Sequence, residues 1–262
     1  MTASASRRPR SKARPPARRV PAAGDGGIVL YGRHAVLAAV ANGRRPVRRL
    51  LSLGPPDDAV AAAAAARGLE VETLERGAFA AIVGEEAAHQ SLGAVVGPLP
   101  EPDLRDLAAV EAGPIVVLDQ ISDSRNVGAI LRSAAAFGAT ALVMQTRHAA
   151  PLNGACAKAA SGALEWVPVA HEVNLARALT QLQGDGWWVA GLDGRGEVEL
   201  ADFAPTARQV LVLGAEGRGL RHLIRERCDV RLRIPIRPPV ESLNVAVSAG
   251  IVLAHCARRP GG

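Results

Sequence analysis

Three stretches in the back half of the chain carry polar groups where a core has no use for them. They are Asp119-Gln-Ile-Ser-Asp-Ser-Arg-Asn-Val-Gly-Ala-Ile-Leu-Arg132, Gly214-Ala-Glu-Gly-Arg-Gly-Leu220 and Pro239-Val-Glu-Ser-Leu-Asn-Val-Ala-Val-Ser248. Each sits where an apolar, strand-like run gives way to a helix-like run, and α/β proteins gather ligands at the carboxyl ends of strands. The glycines after Val210–Leu213 let a ligand approach the backbone and offer it free N–H donors. Glu216 lies inside that loop rather than at the end of a later strand, so the loop is not a dinucleotide fingerprint. Ser242 or Asn244 alone would read as a helix cap, but the pair flanking Leu243 behind Pro238-Pro239 suggests an ordered loop. Asn126 also has a capping reading. Arg132 is surrounded in sequence by Ala129, Ile130, Leu131 and Ala134–Ala136. A charge in such a setting needs a partner, and an anionic phosphate fits.

The elements that must position these groups follow from periodicity. Residues 28–97 read as a small α/β unit: a helix over 32–41, a strand over 47–53, an alanine-rich helix over 57–67, a strand over 69–74, a short helix over 76–83 and a strand over 92–96. Pro98, Pro100 and Pro102 open a stiff linker over 98–112. From Gly113 strands and helices alternate: strands at 115–118, 141–144, 167–169, 187–191, 210–213 and 230–236, and helices at 127–137, 154–161, 174–182, after Gly219 and from Leu243 to about Cys256. That alternation predicts a parallel sheet covered on both faces.

Composition narrows the class. Apolar residues make up 48% of the 262, yet no uncharged apolar run reaches the ~18 residues of a membrane span, and no signal-peptide core opens the chain. Three cysteines, Cys156, Cys228 and Cys256, without a C-x-x-C spacing predict free thiols in a reducing cytoplasm. The histidines form no ligand spacing, so no metal is expected. Residues 1–27 hold seven basic residues against Asp25, which equals the whole net charge of +6; the other 24 basic and 24 acidic residues cancel. Rich in Pro, Arg, Ala and Gly, that segment has little to bury and is expected to be a disordered arm touching RNA electrostatically. The near-absence of lysine, with only Lys12 and Lys158, suits bidentate phosphate contacts but equally reflects GC-rich coding.

Together the three stretches resemble the SpoU (TrmH-like) family of RNA ribose 2′-O-methyltransferases in the SPOUT superfamily, over about Gly113–Arg259. The carrying pattern is Asn126-x5-Arg132, Gly214-x-Glu216-Gly-x-Gly-Leu220 and Ser242-Leu-Asn-Val-x-x-Ser248, joined by Lys158-Ala-Ala-Ser-Gly-Ala163 with Glu165. Tyr31-Gly-Arg-His-Ala-Val36 and His89-Gln-Ser-Leu92 resemble the RNA-binding domain of the branch that methylates a guanosine ribose in 23S ribosomal RNA. The resemblance implies a SPOUT-type parallel sheet with a C-terminal trefoil knot, preceded by a small α/β RNA-binding domain, acting as a homodimer. It implies S-adenosylmethionine held by Gly214, Ile234 and Leu243, and a reaction site shaped by Asn126, Arg132, Glu216, Ser242 and Asn244. The same chemistry on transfer RNA and a non-catalytic RNA-binding scaffold are the alternatives. The intact polar set argues against a scaffold, and the residues 28–97 argue for ribosomal RNA. An ordinary nucleotide-binding enzyme would place its glycine-rich loop after the first strand, 115–118, and none is there. Deleting residues 1–27 is expected to weaken RNA binding in a salt-dependent way and to leave turnover at saturating RNA intact. Filter binding across a salt series and saturating-substrate rates measure the two.

Overall fold

The computed structural model describes residues 27–85, 87–110, 113–215 and 217–257. The basic arm, except for Gly27, and Glu216 lie outside the described residues.

Two sheets organise the rest. The first contains β1 (Ile28–Tyr31), β2 (Val47–Leu53), β3 (Val71–Leu74) and β4 (Leu92–Val96) in the order β1-β4-β2-β3. β4 runs antiparallel to β1 and β2, whereas β2 and β3 are parallel. Helices α1 (Arg33–Ala41), α2 (Asp58–Ala66) and α3 (Arg76–Val83) connect these strands. β1 is too short to show alternation and has no local signal of its own; pairing with β4 makes it a strand.

The second sheet has β5 (Ile115–Asp119), β6 (Ala141–Gln145), β7 (Val169–Glu172), β8 (Trp188–Leu192), β9 (Val198–Glu199), β10 (Gln209–Gly214) and β11 (Val230–Arg233). Their order is β7-β6-β5-β10-β8-β11-β9, and every pairing is parallel. β5 and β6 are buried along their whole length, which is why they read as unbroken apolar runs. Among the described residues, the α-helices that accompany this sheet are α4 (Leu104–Ala108), α5 (Ser124–Ala136), α6 (Gly154–Ala160), α7 (Leu175–Gly184), α8 (His222–Arg225) and α9 (Val245–Ala257). Among the described residues no helix is long and apolar enough to cross a membrane.

Side-chain caps shift several boundaries from those expected. Asp123 accepts from Arg125 N at 2.7 Å, so α5 begins at Ser124 and not at 127. Asp103 caps α4, placing a short helix within the proline-led linker. Val167 is spent on the core, and β7 pairs only from Val169.

One apolar core runs through both sheets, joining Leu30, Val36, Val40 and Leu92 to Ile130, Leu164 and Val252. At this seam lies a buried ion pair: Arg45 Nη1 donates to Glu165 Oε1 at 2.5 Å, with both side chains 1% exposed. Arg45 Nε donates to Gly97 O at 3.2 Å and Asn42 Nδ2 to Glu165 Oε2 at 3.0 Å, so the pair is hydrogen-bonded as well as matched in charge. Removing one member strands a charge in the core. Glu165→Ala is expected to cost about 3–5 kcal/mol, and the joint change Arg45→Met with Glu165→Leu far less. Urea unfolding of the three chains compares them.

Candidate active site

The strand order puts β5, β10, β8 and β11 side by side, so their carboxyl ends form one edge. An open cleft of about 690 Å³ lies there, within the usual range for a small-molecule site. Gly214, Ile234, Ser242 and Leu243, all singled out in the sequence, line it together with Leu213, Leu232 and Val245. Its lining mixes these apolar side chains with glycine backbone at Gly194, Gly214, Gly217 and Gly219. Arg195, Arg218, Arg225 and Arg231 stand around it, and Arg225 Nε is paired with Asp193 Oδ2 at 3.0 Å.

The loop after β10 is held by its own fold. Gly219 N donates to Ala215 O at 2.8 Å, and the turn folds back so closely that a Cβ on Gly214 would collide with the Gly219 carbonyl. Gly214 is therefore required first by the turn, before any ligand is considered. The far end of the loop is tied to β5. Asp119, fully buried, accepts from Arg221 N at 2.9 Å and from Arg221 Nε at 2.7 Å. A buried carboxylate is tolerable only with such partners. Asp119 stands in the first of the three motif stretches, yet no local pattern assigns it a role. The available signal was an acid closing an otherwise apolar strand.

Asn126 and Asn244 meet: Asn244 Nδ2 donates to Asn126 Oδ1 at 3.0 Å. Asn244 Oδ1 also accepts from Ala246 N at 2.9 Å, capping α9, so capping and site-building are one role. Asn126 is not the cap of α5, since Asp123 has that place. Arg132 departs from expectation more sharply. Its neighbours Ile130, Leu131 and Ala134 are buried, but Arg132 itself is exposed, because it faces the other way on α5. The apolar sequence around it reported the buried face of the helix, not the surroundings of the guanidinium. It does not line the cleft, and among the described residues it makes no hydrogen bond or ion pair.

The thiols offer no nucleophile. Burial pushes Cys156 and Cys228 up to about 12 and Cys256 to about 11, so all three stay protonated near neutrality, and they are free. Among the described residues no group of three or more His, Cys, Asp or Glu could hold a metal ion.

Residues 113–254 match the model of the SpoU rRNA methylase family, and residues 29–102 match that of the RNA 2′-O ribose methyltransferase substrate-binding domain. The chain belongs to the SpoU family. A 23S rRNA (guanosine-2′-O-)-methyltransferase RlmB of Xylella fastidiosa is 37% identical over 239 residues, covering 88% of this chain and 96% of the relative. Among solved structures, the SpoU methyltransferase AviRb of Streptomyces viridochromogenes, in complex with AdoMet, superposes with a TM-score of 0.76 at 26% identity. That match covers 89% of this chain and 90% of the other. The TrmH/SpoU tRNA-modifying enzyme of A. aeolicus, also 26% identical, covers only 60% of this chain and 81% of its own, with a TM-score of 0.51. Gly214, Ser242 and Leu243 of the SpoU motifs thus line one cleft, with Asp119 as the tie beneath its loop. Asp119→Asn is expected to speed amide exchange at residues 217–221 by about tenfold or more while lowering the melting temperature only by a few degrees. Hydrogen exchange read by mass spectrometry, beside a calorimetric melt, checks it.

Proposed function

We propose that this chain transfers a methyl group from S-adenosylmethionine to the ribose 2′-hydroxyl of a guanosine in 23S ribosomal RNA. The observation that carries the reading is the match to the RlmB relative across both sheets, 88% of the chain. The transfer-RNA alternative is less well supported, because the tRNA-modifying neighbour covers only 60%. We divide the chain accordingly into a basic arm (1–27), an RNA-holding unit (28–97), a linker (98–112) and a catalytic unit (113–262).

The cleft suits the donor. Apolar walls from Leu213, Leu232, Ile234 and Leu243 fit a purine, and the turn at Gly214 exposes backbone rather than side chain. When bound, S-adenosylmethionine supplies an electrophilic methyl with a good leaving group, so the protein has chiefly to orient the reactants. Gly214, Ile234 and Leu243 hold the donor through backbone groups. The Asn126–Asn244 contact and Ser242 position the ribose beside it, and Glu216, outside the described residues, is assigned to the same reaction site. Arg132 cannot serve as a free base, since a guanidinium stays protonated. Its role in this scheme is to hold the adjacent phosphate and stabilise developing alkoxide charge.

Arg132 outside its own cleft favours a homodimer in which a second copy completes the site. Val247 and Ile251 on α9 are 51% and 38% exposed, and Phe137 at the end of α5 is 36% exposed, an apolar surface suited to a partner helix. The return of the chain after β11 to pack α9 against α5 supports the trefoil knot. We place the enzyme in the cytoplasm, where its RNA substrate and three free thiols are both at home.

Arg132→Ala is expected to lower methyl transfer by on the order of 10²–10³, equivalent to about 2.7–4 kcal/mol, with donor affinity unchanged. Arg132→Lys should be poor too, because an ammonium lacks the planar fork. Single-turnover transfer of labelled methyl to a 23S rRNA fragment, beside calorimetric titration of the donor, measures both. A near-normal rate for Arg132→Ala would refute the assignment.

A further inference from the structure

The stretch from Lys158 to Glu165 takes no part in the cleft or in the Asn126–Asn244 contact. Its polar and glycine positions instead face the first sheet unit, one after another along α1. Lys158 Nζ donates to Gln90 Oε1, and its stem lies on Gly32, where a Cβ would stand 2.5 Å from Lys158 Cδ. One turn on, a Cβ at Gly162 would come within 2.9 Å of Ala38 Cβ, so only a glycine lets α1 lie this close. At the far end Glu165 binds Arg45 and Asn42, and its carbonyl accepts from Asn42 Nδ2 at 3.1 Å. Before the stretch, Gly154 underlies β1, where a Cβ would meet Tyr31 Cε1 at 2.5 Å and Val29 O at 2.6 Å.

Gln90 is built to meet this surface. It has φ 53° and Ser91 has φ 61°, a left-handed backbone that non-glycine residues seldom adopt. Its Oε1 accepts from Arg33 N at 3.2 Å as well as from Lys158, so one side chain joins the start of α1 to α6. Neither Gln90 nor Lys158 lies on the cleft. The linker is tied as well, since Glu101 Oε1 accepts from His171 N at 2.6 Å.

We propose that Lys158–Glu165 is a docking rail for α1, with Lys158, Gly162 and Glu165 on one side and Gln90 on the other as positioning residues. The rail fixes the span between the RNA-holding unit and the methyl-transfer cleft; this second clause rests on the function proposed above. A unit merely tethered by residues 98–112 would sample many spans, and RNA gripped by it would reach the cleft only part of the time. That cost appears in the RNA concentration needed, not in donor binding.

Pulsed-dipolar EPR on the full chain tests the rail without RNA. Spin labels go on Ala61→Cys in α2 and Thr180→Cys in α7, both exposed, and labelled protein is diluted in unlabelled. The native thiols, pushed up to about 11–12 by burial, label slowly. The parent chain is expected to give one narrow distance. Lys158→Met with Gln90→Leu, and separately the wedge Gly162→Val, should broaden it, while Gln90→Glu, which keeps the acceptor, should leave it narrow. With a 23S rRNA fragment, the broadened variants should need roughly tenfold more RNA for half-maximal rate, with saturating rate and donor affinity close to the parent. A broad parent distribution, or narrow distances in both disrupted variants, overturns the rail. Broadened distances with unchanged RNA half-saturation overturn the positioning role. A parent chain that shows a narrow distance but methylates no ribosomal RNA would refute the proposed function and leave the rail standing.

Discussion

A carboxylate buried at the end of β5 governs the geometry of the catalytic edge. Asp119 has no exposure to water, and its two oxygens are met by the backbone and the guanidinium of Arg221. Arg221 closes the glycine loop that leaves β10, so the charge requirement of one strand fixes the position of a loop from its neighbour. Parallel pairing of β5 with β10, Leu118 beside Leu213 and Asp119 beside Gly214, brings the two within reach. The cleft wall formed by that loop stands where Asp119 needs a partner.

The remaining site groups lean on the same edge. α9 starts where Asn244 caps it, and the same side chain reaches Asn126 near the start of α5. Helices α5 and α9 pack together, with Gly250 facing Ser133, so the contact between the two asparagines is supported along both helices. Arg132 sits further along α5 and points away from its own cleft. In the proposed scheme, where Arg132 holds the RNA phosphate, this outward placement is what calls for a second copy against α9.

The first sheet unit is attached through contacts of another kind. A continuous apolar core crosses the seam, and the Arg45 and Glu165 charges buried there are matched by hydrogen bonds. Buried ion pairs add little net stability but penalise misplacement, because any shift leaves a charge without its partner. At the Arg45–Glu165 seam that penalty favours one relative placement of the two sheets over sliding alternatives that would keep the apolar burial.

The sequence by itself determined the parallel α/β class, most strands and helices, and a few of the residues that line the cleft. Each was written locally: apolar runs for β5, β6 and β10, cap residues for the helices, and a glycine turn and a Ser242–Asn244 loop too polar for a core. The structure places Gly214, Ile234, Ser242 and Leu243 on one cleft, and Gly214 is demanded by the turn that closes over it. Other features were beyond local reading. β1 exists only by pairing with β4, and Asp119 gains its role from a residue 102 positions away. Arg132 was given a buried setting because sequence neighbours on a helix face opposite sides of it. Lys158, Gly162 and Glu165 were legible as a motif, but their partners Gln90, Ala38 and Arg45 belong to another sheet. Only the packing of the two sheets decided what that motif touches, since hydrogen bonds and close contacts between distant segments leave no periodic trace in either.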